Sequence, residues 1–198
     1  HNWAGDIYMS NINVNEYLSS NDRNSDEFDV HIDFDEQNPG CGWGEDIPPS
    51  NLYQPEFGIT FSNGPSLINE CGNFGVAGHS SPVFIGNNHN NTPGDLLISF
   101  DNIVSKVQIN AGTNSGTTFQ MLGYDENNNQ IVQSAVLNGT NVLTPISVTA
   151  NGIKSIRVVT SGGDVFVYDD LKIKTGSYQD PDSENYSLRF DGINDYVH

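Results

Sequence analysis

The sequence is short of cations, of cysteine and of long apolar runs. Lys and Arg number 7 against 25 Asp and Glu, a formal charge of −18. A surface so negative repels phosphate backbones and anionic headgroups, which excludes nucleic acid and anionic lipid as partners. Neutral ligands, cationic ligands and metal ions remain, and solubility alone is an equally good reason for the excess. No run of 18 apolar residues occurs, so no membrane insertion is expected. Residues 1–10, "HNWAGDIYMS", lack the basic start and apolar centre of a signal peptide, and the expectation is a mature or excised segment. The two cysteines, Cys41 in "NPGCGWGED" and Cys71 in "LINECGNFG", have no CxxC neighbour and no His pair at zinc spacing. They read as a disulfide or as two buried thiols. The bridge is the expectation adopted, contributing roughly 3.5 kcal/mol in the chain-entropy model and placing the protein outside the cytoplasm.

Catalytic motifs are also missing. There is no nucleophile elbow and no HExxH, and the glycine-rich "GGDVF" and "GNFGVAG" lack the strand–loop–helix setting of a phosphate loop. The "ExDxxE" of laminarinase-like sandwiches is absent. Acid pairs are plentiful, so counting does not dispose of a glycosidase-like pair. The expectation is nevertheless a binding module rather than an enzyme.

What the chain does have is alternation. "FDVHIDFDE" (28–36) sets Phe28, Val30, Ile32 and Phe34 on one face and Asp29, His31, Asp33 and Asp35 on the other. Further strand-like stretches follow at 57–62, 82–86, 95–100, 105–112, 117–125, 130–137, 143–150, 154–161 and 164–173, with turn signals such as "YDENNNQ" between them. No helical period is convincing. This spacing predicts an all-β fold, an antiparallel β-sandwich of jelly-roll type. The expected layout is an extension or linker at 1–27, the sandwich at 28–175, a polar linker at 176–185 and a new segment at 186–198. The long loops 37–56 and 69–94 each carry one cysteine, and loops of such length are usually functional or disordered.

Two carboxylates break the alternation. Strand parity puts Glu36 on the apolar face of the first strand and Asp169 among Val165, Val167, Leu171 and Ile173 of the last, with Asp170 opposite. First and last strands of a jelly roll are commonly neighbours, so the two groups are expected to converge. Unpaired, they would repel and lose hydration at several kcal/mol each. A structural Ca²⁺, a hard cation served by carboxylate and carbonyl oxygens, is the expected remedy. The alternative is a pair at the sandwich rim touching solvent or backbone N–H groups.

The loops supply the chemistry of sugar recognition, an aromatic face with planar amides. Trp43 sits between glycines in "CGWGED", Tyr53 in "NLYQPEF", His79 in "VAGHSS", and Asn87, Asn88 and His89 in "GNNHNN". Each has a plainer reading: Trp43 as a plug beneath its loop, the asparagines as turn formers, the histidines as a metal pair lacking a third ligand. If the cysteines are bridged, Trp43 stands beside "GNFGVAGHSS" and a cleft forms between the loops.

Three pieces, "HIDFDE" (31–36), "FGITFSNG" (57–64) and "VYDDLKI" (167–173), together resemble a broad group of secreted bacterial β-sandwich modules found beside polysaccharide-degrading enzymes and adhesins. Several carbohydrate-binding families of this look carry a structural Ca²⁺ between first and last strands, which the resemblance implies here for Glu36 and Asp169. The tail "YSLRFDGINDYVH" (186–198) resembles the opening strand of a laminin-G-like (concanavalin-A-like) domain and implies a truncated second module. The functional expectation is a noncatalytic, polysaccharide-binding, calcium-containing module of a secreted multidomain protein, with flanking modules in the same chain. The alternative is a structural or adhesive cell-surface sandwich without a sugar site.

Overall fold

Alternation of apolar and polar residues builds ten antiparallel strands, seen in a computed structural model that describes residues 28–41, 46–63, 66–72, 75–87, 95–161 and 166–176. All of these belong to one compact unit, Phe28–Tyr178. The extension at 1–27, the linker beyond Gly176 and the laminin-G-like segment at 186–198 lie outside the described residues.

The strands are β1 (Val30–Ile32), β2 (Ile59–Ser62), β3 (Ser66–Asn69), β4 (Val83–Asn87), β5 (Leu96–Gly112), β6 (Thr118–Tyr124), β7 (Gln130–Gln133), β8 (Leu137–Asn138), β9 (Thr144–Thr160) and β10 (Phe166–Thr175). Their order is β3-β4-β10-β5-β9-β6-β7, with β1 beside β10, β2 beside β5 and β8 beside β6. β5 and β9 explain how one hydrogen-bonded sheet becomes a sandwich. Each runs 17 residues, and the register between them shifts from Ser99 to Val104, where Asp101, Asn102 and Ile103 are exposed. An irregularity of this kind bends a strand. The first half of β5 buries Leu96, Ile98 and Phe100 and the second buries Val107, Ile109 and Ala111, all in one core. One layer is therefore β2, the first half of β5, the second half of β9, β6 and β7. The other is the second half of β5, the first half of β9, and β10 with its neighbours β1, β4 and β3. The fold is the all-β, antiparallel jelly-roll-type sandwich that the alternation predicts.

Several elements differ from expectation. The stretches 95–100 and 105–112 are one strand, as are 143–150 and 154–161, because the turn-like residues between them bend the strand without breaking it. One short helix, α1 (Gln54–Phe57), precedes β2. Pro55 suits its first turn, and Gly58 at φ 67° ends it by donating its N–H to Gln54 O at 3.0 Å. β3 (Ser66–Asn69) lies where no strand is expected. Cys41 and Cys71 form the disulfide, with Cα atoms 5.7 Å apart. The chain between the cysteines includes β2 and β3, so the bridge closes over part of the sandwich as well as joining two loops.

Candidate functional site

Strand register sets two rows of side chains on the outward face of the β2–β5–β9–β6 layer. Ser62, Leu97, Arg157, Leu122 and Gln133 follow one another across five strands, and Thr60, Ser99, Ser155 and Tyr124 form the row beside them. Their sequence neighbours Phe61, Ile98, Ile156, Val158 and Met121 point into the core, so period-two alternation sends these rows outward. Two turns rim the face. Asn63 at φ 68° leaves β2, and Asn128 at φ 61° lies between β6 and β7. Asparagine tolerates this left-handed backbone better than most side chains. The second turn is held by Asp125, whose carboxylate accepts the N–H groups of Asn127 (2.9 Å) and Asn129 (2.8 Å) and the Asn129 amide (3.0 Å).

Between the rims lies a concavity of about 350 Å³ lined by Asn63, Leu97, Ser99, Tyr124, Asn128, Ser155 and Arg157, at the small end of the roughly 300–1,000 Å³ usual for small-molecule sites. Among the described residues the lining holds no carboxylate, although the chain has 25 Asp and Glu. Its charge is the Arg157 guanidinium, about half exposed and ion-paired through Nη2 to Asp95 at the start of β5. Chemically the cleft offers a phenol ring, two amides, two serine hydroxyls and the N–H fork of an arginine. That is the inventory for a hydroxyl-bearing ligand with an apolar face.

The residues expected in the site are not brought together here. Tyr53 is a correction. It is 2% exposed, with its ring edge-on to Phe34 (5.5 Å) and Phe61 (5.7 Å), so no face is left for a ligand. Its hydroxyl is buried without a hydrogen-bond partner, and burial first, then the neighbouring Glu36 carboxylate, hold its pKa above the usual phenol range. His79 is half-buried against Phe84, with ring centroids 4.7 Å apart, and its Nδ1 donates to Ser80 O at 2.8 Å. Asn87 ends β4 opposite Phe166. Trp43, Asn88 and His89 lie outside the described residues.

Glu36 and Asp169 part company as well. β1 stops at Ile32, and Phe34 takes a left-handed φ of 67° that starts a turn. Parity therefore fails before Glu36, which is exposed. Asp169 is 0% exposed, for a different reason than alternation suggests. Asp169 pairs with Asn110 and Lys172 with Gln108, so Asp170 and Leu171 both face Ile109, a β-bulge with Asp170 at φ 53°. The extra residue inverts the parity. Phe166 and Tyr168 are in the main core before it and Leu171 and Ile173 after it, while Val167 belongs to a smaller cluster with Ile68, Val76 and Phe84. Asp169 shares Val167's side, under the segment that carries Ser80.

There protein donors reach its oxygens. Oδ2 accepts Ser80 N–H (2.5 Å) and Ser80 Oγ (3.0 Å), a hydroxyl shared with Asp33 O (3.1 Å), and Oδ1 accepts Asp170 N–H (2.8 Å). Asp170 in turn receives Asn110 Nδ2 (2.9 Å) and pairs with His31 Nε2 (2.6 Å). Calcium takes six to eight oxygens. Asp169 has three of its four lone-pair positions filled, and no cluster of three or more His, Cys, Asp or Glu able to hold a metal occurs among the described residues. As arranged, this donor set does not fit the expected ion.

The outward rows were missed by sequence reasoning, yet a signal was present. Arg157, one of only seven cations, alternates with Ile156 and Val158 in mid-strand, where a polar residue must face outward.

No known family profile matches the chain, and no curated protein matches it. Among solved structures it is similar to the K2 cleaved adhesin domain of Lys-gingipain, at 12% identity over 60% of this chain and 89% of that one, with a TM-score of 0.44. It is also similar to a DUF4465 family protein from Bacteroides caccae, at 12% identity over 60% and 82%, TM-score 0.42. A third likeness is to the carbohydrate-binding and catalytic modules of a Clostridium thermocellum endo-1,4-β-D-xylanase complexed with xylohexaose, at 16% identity over 62% and 27%, TM-score 0.40. At these values the activity of none of them transfers to this chain.

Proposed function

We propose that this chain is a noncatalytic glycan-binding module of a secreted protein, with its ligand on the outward face of the β2–β5–β9–β6 layer. The observation that carries the reading is the cleft whose described lining is Tyr124, Asn63, Asn128, Ser99, Ser155, Leu97 and Arg157, without a carboxylate among them in an otherwise acidic chain. A sugar ring presents C–H groups on its face and hydroxyls at its edge. Tyr124 serves the first, and the amides, hydroxyls and guanidinium serve the second. The disulfide accords with an oxidising, extracellular setting. Flanking modules, the second starting near residue 186, belong to the same proposal. Calcium at Glu36 and Asp169 is not required by it, since Ser80 and Asp170 donate three hydrogen bonds to the buried carboxyl group.

Affinity electrophoresis against neutral polysaccharides tests this reading. Tyr124→Ala should weaken binding by about 1 kcal/mol, roughly fivefold, through loss of the ring contact. Unchanged retardation would remove the cleft from consideration. The second reading is a structural or adhesive sandwich without a sugar site. It is favoured by the packing of Tyr53 and His79 into the protein, and it predicts no retardation by any polysaccharide.

A further inference from the structure

We infer that Asp95 sets the class of sugar admitted to the sheet-face cleft: by neutralising Arg157 it tunes the site to neutral glycans and bars those that carry a carboxylate. The inference rests on the glycan-binding reading above. A free guanidinium is the side chain best shaped to grip a carboxylate, through two parallel N–H···O bonds. Arg157 is the charge in the cleft lining, so alone it would mark the site for uronate-bearing chains. It is not alone. The Asp95 carboxylate sits on Nη2 at the start of β5, its own side chain only 20% exposed. A ligand carboxylate approaching Arg157 would meet a like charge across one guanidinium.

A sugar hydroxyl meets no such penalty. It accepts from the guanidinium N–H groups that Asp95 leaves free, and it donates to the Asn63 and Asn128 carbonyl oxygens or the serine hydroxyls. The charge of the whole chain acts in the same direction, since −18 repels an anionic polymer before contact. The cleft therefore has the donors to recognise hydroxyls and, because one carboxylate is paired with the arginine, no unanswered cation among its described residues to recognise acids.

The test is isothermal titration of the full chain with neutral gluco-, xylo- and mannohexaose and with hexagalacturonate, at low and high salt. Wild type should bind at least one neutral hexasaccharide and hexagalacturonate at least about tenfold more weakly. Asp95→Asn, close in shape but uncharged, should raise the ratio of acidic to neutral affinity by about tenfold, with the gain lost in high salt. Arg157→Gln should move the ratio the other way, because it leaves Asp95 as an unanswered anion. Asp95→Ser repeats the measurement should the asparagine variant melt early. Equal binding of acidic and neutral chains by wild type, or an unmoved ratio in both Asp95 variants, overturns the role of Asp95 while leaving the cleft a glycan site. Failure of wild type to bind any of the neutral probes overturns the glycan reading and this inference with it.

Discussion

Urea unfolding of wild type and Asp169→Asn, from about pH 7.5 to about pH 3.5, isolates the one carboxylate among the described residues that the fold buries completely. Burial raises the Asp169 pKa from 3.8 to about 6, only partly offset by the N–H and O–H donors of Ser80 and the N–H of Asp170, while the Asp170 charge adds to the rise. A gap of about two pH units corresponds to about 3 kcal/mol as a ceiling. The sign follows from proton binding. The folded chain holds this proton more tightly than the unfolded chain, so the contribution is fully present below about pH 4 and lost as the pH rises through about 6.

Other groups pull in the opposite direction. Asp29 is held below the usual range chiefly by the Thr175 hydroxyl, and Asp125 chiefly by the Asn129 amide. Both stabilise the fold above their unfolded pKa and lose that effect in acid, so a raw pH curve mixes the two trends. Asparagine at 169 cannot titrate, and the difference between the two proteins cancels the rest. Stability of wild type relative to the variant should therefore decline by up to about 3 kcal/mol between about pH 4 and about pH 7. A difference that is flat with pH, or that grows toward neutrality, would refute the reasoning. It would mean that the Ser80 clamp outweighs the desolvation and that the charged form is the one the fold prefers.

Opening the disulfide by Cys41→Ser with Cys71→Ser should lower the unfolding free energy by about 2–4 kcal/mol in urea, and an unchanged midpoint would show that the bridge does not limit the unfolded chain. Gly139→Ala should cost about 1–3 kcal/mol, because a Cβ there would lie 2.5 Å from Thr113 Cγ2, 2.7 Å from Phe119 Cε2 and 2.9 Å from the Thr117 carbonyl oxygen; a thermal melt at the wild-type Tm would contradict that crowding. Chelation with EDTA should leave the wild-type Tm where it is, since Asp169 is satisfied by protein donors, and a Tm that rises with added Ca²⁺ would put a cation back on the 33–36 turn.

Why some of this was readable from the residues and some was not comes down to how local each determinant is. Alternation in "LLISF", "SKVQINA", "TTFQML" and "SIRVVT" is enforced within each strand by burial of every second side chain, and those strands are present. The two ends of the sandwich were misread because a single backbone angle overrides parity. Phe34 at φ 67°, two residues beyond the end of β1, turns the chain before Glu36, and Asp170 at φ 53° inserts a bulge that puts Asp169 on the side opposite Leu171 and Ile173. Neither Phe nor Asp advertises a left-handed conformation as glycine would. The same limit hid Tyr53, which joins Phe34 and Phe61 only because α1 and the β1 turn fold over one end of the core.

The cleft poses a different problem, and it concerns neighbours rather than angles. Leu97, Ser99, Tyr124, Ser155 and Arg157 all stand at positions that alternation marks as outward, so each orientation was legible. Their proximity was not. It depends on β5 lying between β2 and β9, and on β9 lying between β5 and β6, an order that no local pattern encodes. The ion pair follows the same logic: Asp95 and Arg157 are 62 positions apart and meet because Leu97 pairs with Arg157 across the β5–β9 ladder. A charged residue on the outward side of a central strand, in a chain where its sign is scarce, is the one trace of such a site that the sequence carries. Here that trace leads to Arg157 and, through the ladder, to the carboxylate that answers it.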